Sequence, residues 1–226
     1  MKVNEIFGPT FQGEGKSAGK KVMFLRLAFC NLSCIWCDTA YTWDFKHYNK
    51  KKEITEMSNQ EILLKIGDLT KALVISGGEP LLQQNSLISL CSILKNQGFW
   101  IEVETNGTII PDDNFIELVN QFNISPKLSN SGNRWQKREN IIALTKFVSL
   151  KKSTWKFVVQ DFSDISEILK FIAKVNIKKE IYLMPEGKTK IEQLQRQKFV
   201  KNICKHFGFN FSPRLQVLKY GTRRAV

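Results

Sequence analysis

The sequence predicts an α/β fold, a partial and open β/α barrel of about six parallel strands, and three observations lead there. Apolar runs of strand length alternate with segments of helical period along almost the whole chain. Helices of that size between strands imply parallel pairing with right-handed crossovers. A polar or Gly- and Pro-rich cluster follows the C-terminal end of each strand, the edge on which parallel α/β folds build their sites. About six βα units in place of the eight of a closed barrel leave one side open. An open side suits a large substrate, the approach of an electron donor, or closure by a second subunit; a homodimer is the expectation.

The elements follow in order. Val22–Phe29 predicts the first strand and runs into a loop carrying Cys30, Cys34 and Cys37. Ser58, with Glu61 three residues on, is a capping-box signature for a helix over Asn59–Gly67. The strand Ala72–Ser76 ends at Gly77-Gly78-Glu79-Pro80, and a helix follows over Ser86–Asn96. Phe99–Thr105 ends at Asn106-Gly107 before a helix over Asp112–Asn120. Asn123–Ser125 ends at Pro126-Lys127, ahead of a helix over Asn140–Phe147. Trp155–Gln160 ends at Asp161 before the helix Asp164–Val175. Ile181–Met184 ends at Pro185-Glu186-Gly187, and the last helix covers Ile191–His206. No repeat, linker or composition break interrupts the series, so residues 1–226 read as one domain.

With 42% hydrophobic and 24% charged residues the composition is globular, and 16 Phe and 5 Trp can fill a core. That excludes intrinsic disorder and fibrous architecture. No run of about 18 apolar residues occurs, so no transmembrane helix is expected. The N-terminus lacks the apolar stretch of a secretion signal, which points to a cytoplasmic protein. Lys and Arg number 34 against 21 Asp and Glu, a net charge of +13. The lysines fall in solvent-type runs such as Lys50-Lys51-Lys52, without interleaved aromatics, so nucleic acid is not the expected partner. An acidic flavodoxin or ferredoxin reductant would suit such a surface.

The five cysteines divide sharply. Cys91 and Cys204 lie at helix-like apolar spacing and read as small buried hydrophobes. Cys30, Cys34 and Cys37 form a C-x3-C-x2-C loop, a spacing that converges thiolates on one soft metal centre. A structural zinc site needs a fourth ligand, and His47 reads better as a loop histidine. Electron-transfer clusters also take four protein ligands. Three cysteines on a 4Fe-4S cube leave one iron open, which favours catalysis over electron storage. The amino and carboxylate groups of S-adenosylmethionine can chelate that iron, and a reduced cluster then cleaves the sulfonium to a 5'-deoxyadenosyl radical.

This loop, with Trp36 before its last cysteine, resembles the radical S-adenosylmethionine superfamily. Ser76-Gly77-Gly78-Glu79-Pro80 resembles the superfamily segment that receives the cofactor's amino group. Phe11-Gln12-Gly13-Glu14-Gly15, Phe24-Leu25-Arg26-Leu27 and the run from Cys30 to Trp43 are similar to the 7-carboxy-7-deazaguanine synthases. Glu104-Thr105-Asn106-Gly107-Thr108, Ser125-Pro126-Lys127 and the Arg214…Tyr220-Gly221 tail keep that family's order. The resemblance implies conversion of 6-carboxy-5,6,7,8-tetrahydropterin to 7-carboxy-7-deazaguanine with loss of ammonia, a carbon–nitrogen lyase step in queuosine biosynthesis. It implies a 4Fe-4S cluster on Cys30, Cys34 and Cys37, S-adenosylmethionine, and Mg2+ held by Thr39 with substrate. Trp36, Asp38, Gly78, Glu79, Ser125, Pro126, Lys127 and Gln160 are implied at the cofactor, and Phe11, Gln12, Gly13, Arg26 and Ser76 at the pterin.

Several of these residues carry a second reading. Gln12-Gly13 is also an ordinary tight turn before the first strand. Arg26 sits in an apolar strand and needs an anion, either the substrate carboxylate or a salt bridge to Glu14 or Glu104. Asp38-Thr39 alone reads as a helix N-cap. Gln216 stands where the family often has His, and the end Arg223-Arg224-Ala225-Val226 lacks a Gly common there. Gln keeps a donor but does not titrate. Two rival functions share the cysteine loop: a small radical enzyme that activates a partner protein, and a cluster- or zinc-bearing RNA-binding module.

Overall fold

In the computed structural model, which describes residues 1–225, nine strands form one mixed sheet. Strand β1 (Lys2–Phe11) pairs antiparallel with β2 (Lys21–Leu27), and the short β3 (Thr55–Glu56) pairs antiparallel with the start of β1. From β2 onward all pairing is parallel, through β4 (Ala72–Gly77), β5 (Trp100–Thr105), β6 (Gln121–Ile124), β7 (Ser153–Val159), β8 (Ile181–Pro185) and β9 (Asn210–Phe211). The order is β3-β1-β2-β4-β5-β6-β7-β8-β9, and among the described residues no pairing joins the two edges. The barrel is therefore partial and open, as the sequence predicts.

All six expected strands are present, and the two-residue β9 adds a parallel partner beyond them. Besides the two-residue β3 and β9, the sequence reading missed the long strand β1. Its sequence KVNEIFGPTF mixes polar residues with Gly8-Pro9, which reads as a break in a strand. The structure accommodates the break with a register shift between Phe7 and Thr10, beyond the two residues that pair with β3. The strand entering the cysteine loop is thus the second, and Gln12-Gly13 is the turn between β1 and β2.

Helices α1 (Lys50–Glu53), α2 (Asn59–Ile66), α3 (Gln84–Asn96), α4 (Asp113–Leu118), α5 (Trp135–Arg138), α6 (Ile141–Ser149), α7 (Ser163–Val175), α8 (Lys190–Phe207) and α9 (Leu215–Tyr220) connect the strands and close the chain. Ser58 and Glu61 form the expected capping box on α2, and Thr189 with Glu192 forms a second on α8. Asp112 and Asn140 cap α4 and α6 with their side chains.

Alternation along the strands separates two faces. Leu25, Leu27, Leu73, Ile75, Ile101, Val103, Phe122, Ile124, Trp155 and Phe157 belong to the main core, packed with Leu87, Leu90, Phe147, Ile168 and Phe171 of the helices. Cutting one of these back to Ala costs about 2–5 kcal/mol. The opposite parity is apolar at the strand beginnings, where Val22, Phe24, Ala72 and Val74 form a small second cluster. Farther along the strands that parity carries Arg26, Ser76, Glu102, Glu104, Asn123 and Lys156. The inner face therefore changes from apolar to polar toward the C-terminal edge. Cys91 and Cys204 are buried in helices, as expected of small hydrophobes.

Candidate active site

A cavity of about 450 Å³ opens at the C-terminal ends of the parallel strands. Its upper wall is the loop after β2. Cys30, Cys34 and Cys37 all face it, and each sulfur accepts one N–H: Leu32 N to Cys30 at 3.4 Å, Asn133 Nδ2 to Cys34 at 3.2 Å, and Trp43 Nε1 to Cys37 at 3.4 Å. Single N–H donors of this kind orient and tune thiolate ligands. Burial pushes the Cys30 thiol up to about 12 and raises Cys34 as well, so ionising them calls for a bound cation. As placed, the described residues contain no set of three His, Cys, Asp or Glu converging on one point. The donor set nevertheless fits a cluster, with three sulfurs on one wall and no fourth protein ligand.

The segment Ser129–Asn133 clasps this loop from behind. Ile35 N bonds Ser131 O at 3.1 Å, Ser33 N bonds Asn133 Oδ1 at 3.0 Å, and Trp36 Nε1 bonds Asn130 Oδ1 at 3.2 Å. Asn133 thus holds both the loop backbone and the Cys34 sulfur. On the other side Gly78 N bonds Leu27 O at 3.0 Å, and a Cβ on Gly78 would lie 1.8 Å from Phe29 O. Only glycine lets β4 end so close to the cysteine loop.

Opposite the sulfurs the cavity is charged. Glu104 accepts from Ser76 Oγ at 2.6 Å and from Gln12 Nε2 at 3.1 Å, and the same Gln12 amide reaches Glu102 at 2.8 Å. Glu102, fully buried, also accepts from Asn123 Nδ2 at 2.5 Å and from Ser17. Burial, with Glu104 nearby, raises its pKa to about 7. Glu14 bonds Lys156, Arg214 Nε at 3.1 Å and Gln216 Nε2 at 2.6 Å. Burial alone would raise Glu14, but the Lys156 and Arg214 charges outweigh it and hold the carboxyl well below the usual range. Arg214 continues the chain of charges to Asp38, beside the last cysteine. Gln216 Oε1 is buried with no hydrogen-bond partner and sits where any Cβ on Gly13 would fall, 1.8 Å away.

Arg26 donates Nε to Glu5 at 2.6 Å, and Tyr41 Oη shares that carboxylate at 3.1 Å. The anticipated salt bridges to Glu14 or Glu104 are not formed; Glu5, on the strand the sequence concealed, takes their place. Among the described residues the terminal nitrogens of Arg26 make no protein hydrogen bond, and the residue lines the cavity. Thr39 stands at the start of the 3-10 turn Ala40–Thr42 without a side-chain cap bond, its Oγ1 3.6 Å from Cys37 Sγ.

Phe11, Gln12, Gly13, Trp36, Asp38, Thr39, Ser76, Gly78, Ser125 and Lys127 all line the cavity. Glu79, Pro126 and Gln160 do not. Glu79 is fully buried behind the wall, where it accepts from Asn106 N at 2.7 Å, Thr105 Oγ1 at 2.8 Å and Leu81 N at 3.1 Å. It shapes the end of β4 instead of facing the cavity. His47 is a loop residue bonded to Asp44 at 2.7 Å. Val226 lies outside the described residues. The sequence reading missed Glu5, Tyr41, Asn133 and Lys156. Only Lys156, a charge inside the otherwise apolar run Trp155–Val159, carried a signal like that of Arg26.

The family model of the radical SAM superfamily matches residues 25–196. The chain is 33% identical to a 7-carboxy-7-deazaguanine synthase of Pyrobaculum aerophilum, over 99% of this chain and 96% of that one. It is 31% identical to the protein of that name from Halobacterium salinarum, over 96% of this chain and 89% of the other. Among solved structures it is similar to QueE from Escherichia coli, with a TM-score of 0.71 and 26% identity, covering 93% of this chain and 92% of that chain. No helix among the described residues is long and apolar enough to cross a membrane.

Proposed function

Because the chain belongs to the radical SAM superfamily and, within it, to the 7-carboxy-7-deazaguanine synthases, we propose that the cavity converts 6-carboxy-5,6,7,8-tetrahydropterin to 7-carboxy-7-deazaguanine with release of ammonia. One observation carries the reading. A single cavity of about 450 Å³ sets three N–H-supported thiols against a wall of amide, carboxylate and guanidinium groups. That volume suits one bicyclic molecule beside a nucleoside cofactor, not a peptide segment, which counts against the partner-activating alternative.

Cys30, Cys34 and Cys37 hold the 4Fe-4S cluster, and Gly78, Trp36, Ser125 and Lys127 surround S-adenosylmethionine. When bound, the pair supplies one-electron cleavage of the sulfonium and thereby removal of a hydrogen atom from the substrate. The rest falls to side chains of this chain. Glu104 and the Gln12 amide accept and donate along the polar edge of the pterin, and Ser76 keeps Glu104 in place. Arg26, tethered through Nε to Glu5, turns its free fork toward the substrate carboxylate. Gln216 packs against Gly13 and donates Nε2 to Glu14, which holds that part of the wall in place. Lys156 and Arg214 fix Glu14 in its ionised form, so the wall is ordered before substrate arrives. Thr39 offers Mg2+ an oxygen not spent on capping, with substrate oxygens and water completing the shell. The working enzyme is a cytoplasmic homodimer, reduced by an acidic flavodoxin or ferredoxin.

The test is anaerobic reconstitution of the cluster, followed by S-adenosylmethionine, dithionite, Mg2+ and carboxytetrahydropterin. A deazaguanine chromophore and 5'-deoxyadenosine are expected. Cofactor cleavage without deazaguanine would reject the substrate assignment.

A further inference from the structure

Resting on that reading, we infer that Glu102 is a positioning residue: it turns the Gln12 carbonyl toward the substrate and makes this stretch of wall select a ring edge of N–H donors. Gln12 follows β1 directly, and the β1–β2 hairpin pins its backbone. Its N bonds Lys20 O at 2.9 Å, and its O accepts from Gly19 N at 2.8 Å. The side chain is buried against the cavity, with two amide hydrogens to place. Nε2 lies 2.8 Å from Glu102 Oε1 and 3.1 Å from Glu104 Oε1, so both hydrogens are spent on carboxylates. The reversed amide would set its carbonyl against two acceptor oxygens and leave all three without a proton to share, a costly arrangement in a buried place. The donation along this edge therefore ends at the carboxylates. What is left for a ligand is Gln12 Oε1, which accepts only one long bond, from Glu14 N at 3.3 Å.

Glu102 does this from outside the cavity, which Gln12, Glu104 and Ser76 line and it does not. It shares one face of β5 with Glu104, two residues on, and is itself held from behind. Gln121 Nε2 bonds Asn123 Oδ1 at 2.7 Å, which turns the Asn123 amide so that Nδ2 donates to Glu102 Oε1 at 2.5 Å. Ser17 Oγ bonds the other oxygen, Oε2. A proton on Glu102 belongs on Oε2, toward Ser17, so Oε1 accepts from Gln12 with or without it. Glu104 completes the stretch, Oε1 toward Gln12 and Oε2 accepting from Ser76 Oγ at 2.6 Å. Lys156, whose charge Glu102 feels, is spent on Glu14. This part of the wall thus offers a carbonyl and a carboxylate, acceptors only. A 2-amino-4-oxopyrimidine edge is the complement, because its amino group and N3–H stand side by side as donors. A 2,4-dioxo edge puts a carbonyl where the amino group would be and meets these acceptors with another.

The experiment titrates the reconstituted holoenzyme, with S-adenosylmethionine and Mg2+ present, against two fluorescent, non-reacting probes. These are 6-carboxypterin and 6-carboxylumazine, which differ by amino against carbonyl at C2. Wild type should bind the pterin about tenfold more tightly. Glu102→Gln, whose carbonyl replaces Oε1, should keep that preference. Glu102→Leu releases a Gln12 hydrogen for the ligand, and the preference should fall to about twofold or less, with lumazine affinity held or gained. Should Glu102→Leu not fold, Glu102→Leu/Asn123→Leu removes buried acceptor and donor together and should show the same loss. The ratio is the readout because a merely structural role lowers both affinities in parallel. A wild-type ratio in the folded Leu variant would overturn the inference, as would Glu102→Gln losing the preference as fully as Leu. Failure of the functional reading looks different: wild type would then bind neither probe and make no deazaguanine, and this inference would fall with it.

Discussion

The two ends of the cavity are built on opposite electrostatic plans. At the cysteine end the sulfurs are served by neutral N–H donors, one each from Leu32, Asn133 and Trp43. At the far end Arg214, Glu14 and Lys156 form a run of largely buried charge, with Glu102 and Glu104 beside it, and Arg214 links this run to the exposed Asp38 next to Cys37. The difference follows from what each end receives. A cluster brings its own cations, so its thiols need orientation more than counter-charge. A carboxylated pterin brings hydrogen-bonding edges and a negative charge, and the wall that reads them must be polar and rigid beforehand. The cysteine end should fail through loss of its ligand, and the charged end through loss of balance.

The largest effect is expected at the sulfurs. Cys30→Ala, Cys34→Ala or Cys37→Ala should each abolish both the cluster absorbance and turnover, since two thiolates do not hold an open cube securely. Cys91→Ala and Cys204→Ala should retain both, at a cost of about 1–2 kcal/mol in denaturant melts. Cluster loss from Cys91→Ala, with Cys30→Ala still loaded, would reverse the ligand assignment.

Breaking the charged end should do the converse. Lys156→Met leaves Glu14 buried with half its compensation and should cost about 3–5 kcal/mol of stability. The variant should still take up the cluster, because its place is across the cavity from every sulfur donor. If reconstitution failed while the fold survived, the two ends would not be independent.

Glu102 sharpens the comparison through pH. Its folded pKa of about 7 lies above the unfolded 4.5, so the folded state binds the extra proton. The stabilisation is full below pH ~4.5 and is lost as pH rises through ~7, by about 3 kcal/mol in all. Glu102→Gln matches the protonated form, its carbonyl accepting from Gln12 and Asn123 and its amide turning to Ser17. Melts across pH 4.5–8 should show that slope in wild type and a flatter one in the variant. Parallel curves would mean that Glu102 titrates normally. A smaller change is expected from Arg26→Lys, which keeps charge but loses the fork and should weaken pterin binding about tenfold. Calorimetry should show S-adenosylmethionine binding unaltered; equal losses for both ligands would make Arg26 purely structural.

The same contrast explains what could be read from the sequence. The cysteine end is local: its ligands lie within eight consecutive residues, Cys30 to Cys37, and the glycines of Gly77-Gly78 mark the close approach that supports it. The six parallel strands were legible because apolar runs buried on both sides stand out. The charged end is assembled from β1, β5, β7 and the C-terminal helix, and no short window holds its pattern. Glu5 was hidden because β1 itself was, behind Gly8-Pro9. The side-chain direction of Glu79 was not legible, since a motif places a residue on a strand end without saying which way its side chain turns.

Thr39 lies between the two ends, and the smallest effect belongs there. Its hydroxyl makes no cap bond, so Thr39→Ala should cost well under the ~1 kcal/mol of a lost N-cap. The cluster should be retained, because Cys37 takes its N–H from Trp43 whatever stands at residue 39. Uncoupled cofactor cleavage should persist too, as it needs only the cluster and an electron. What should change is the response to Mg2+, since a hard cation held by one protein oxygen and the substrate loses its only fixed anchor with that hydroxyl. Thr39→Ser keeps the oxygen and should keep most of the response. Initial rates titrated with Mg2+ for wild type, Thr39→Ala and Thr39→Ser separate the two roles. If all three curves coincide, Thr39 serves only the turn it begins, and the ion must be held by other oxygens.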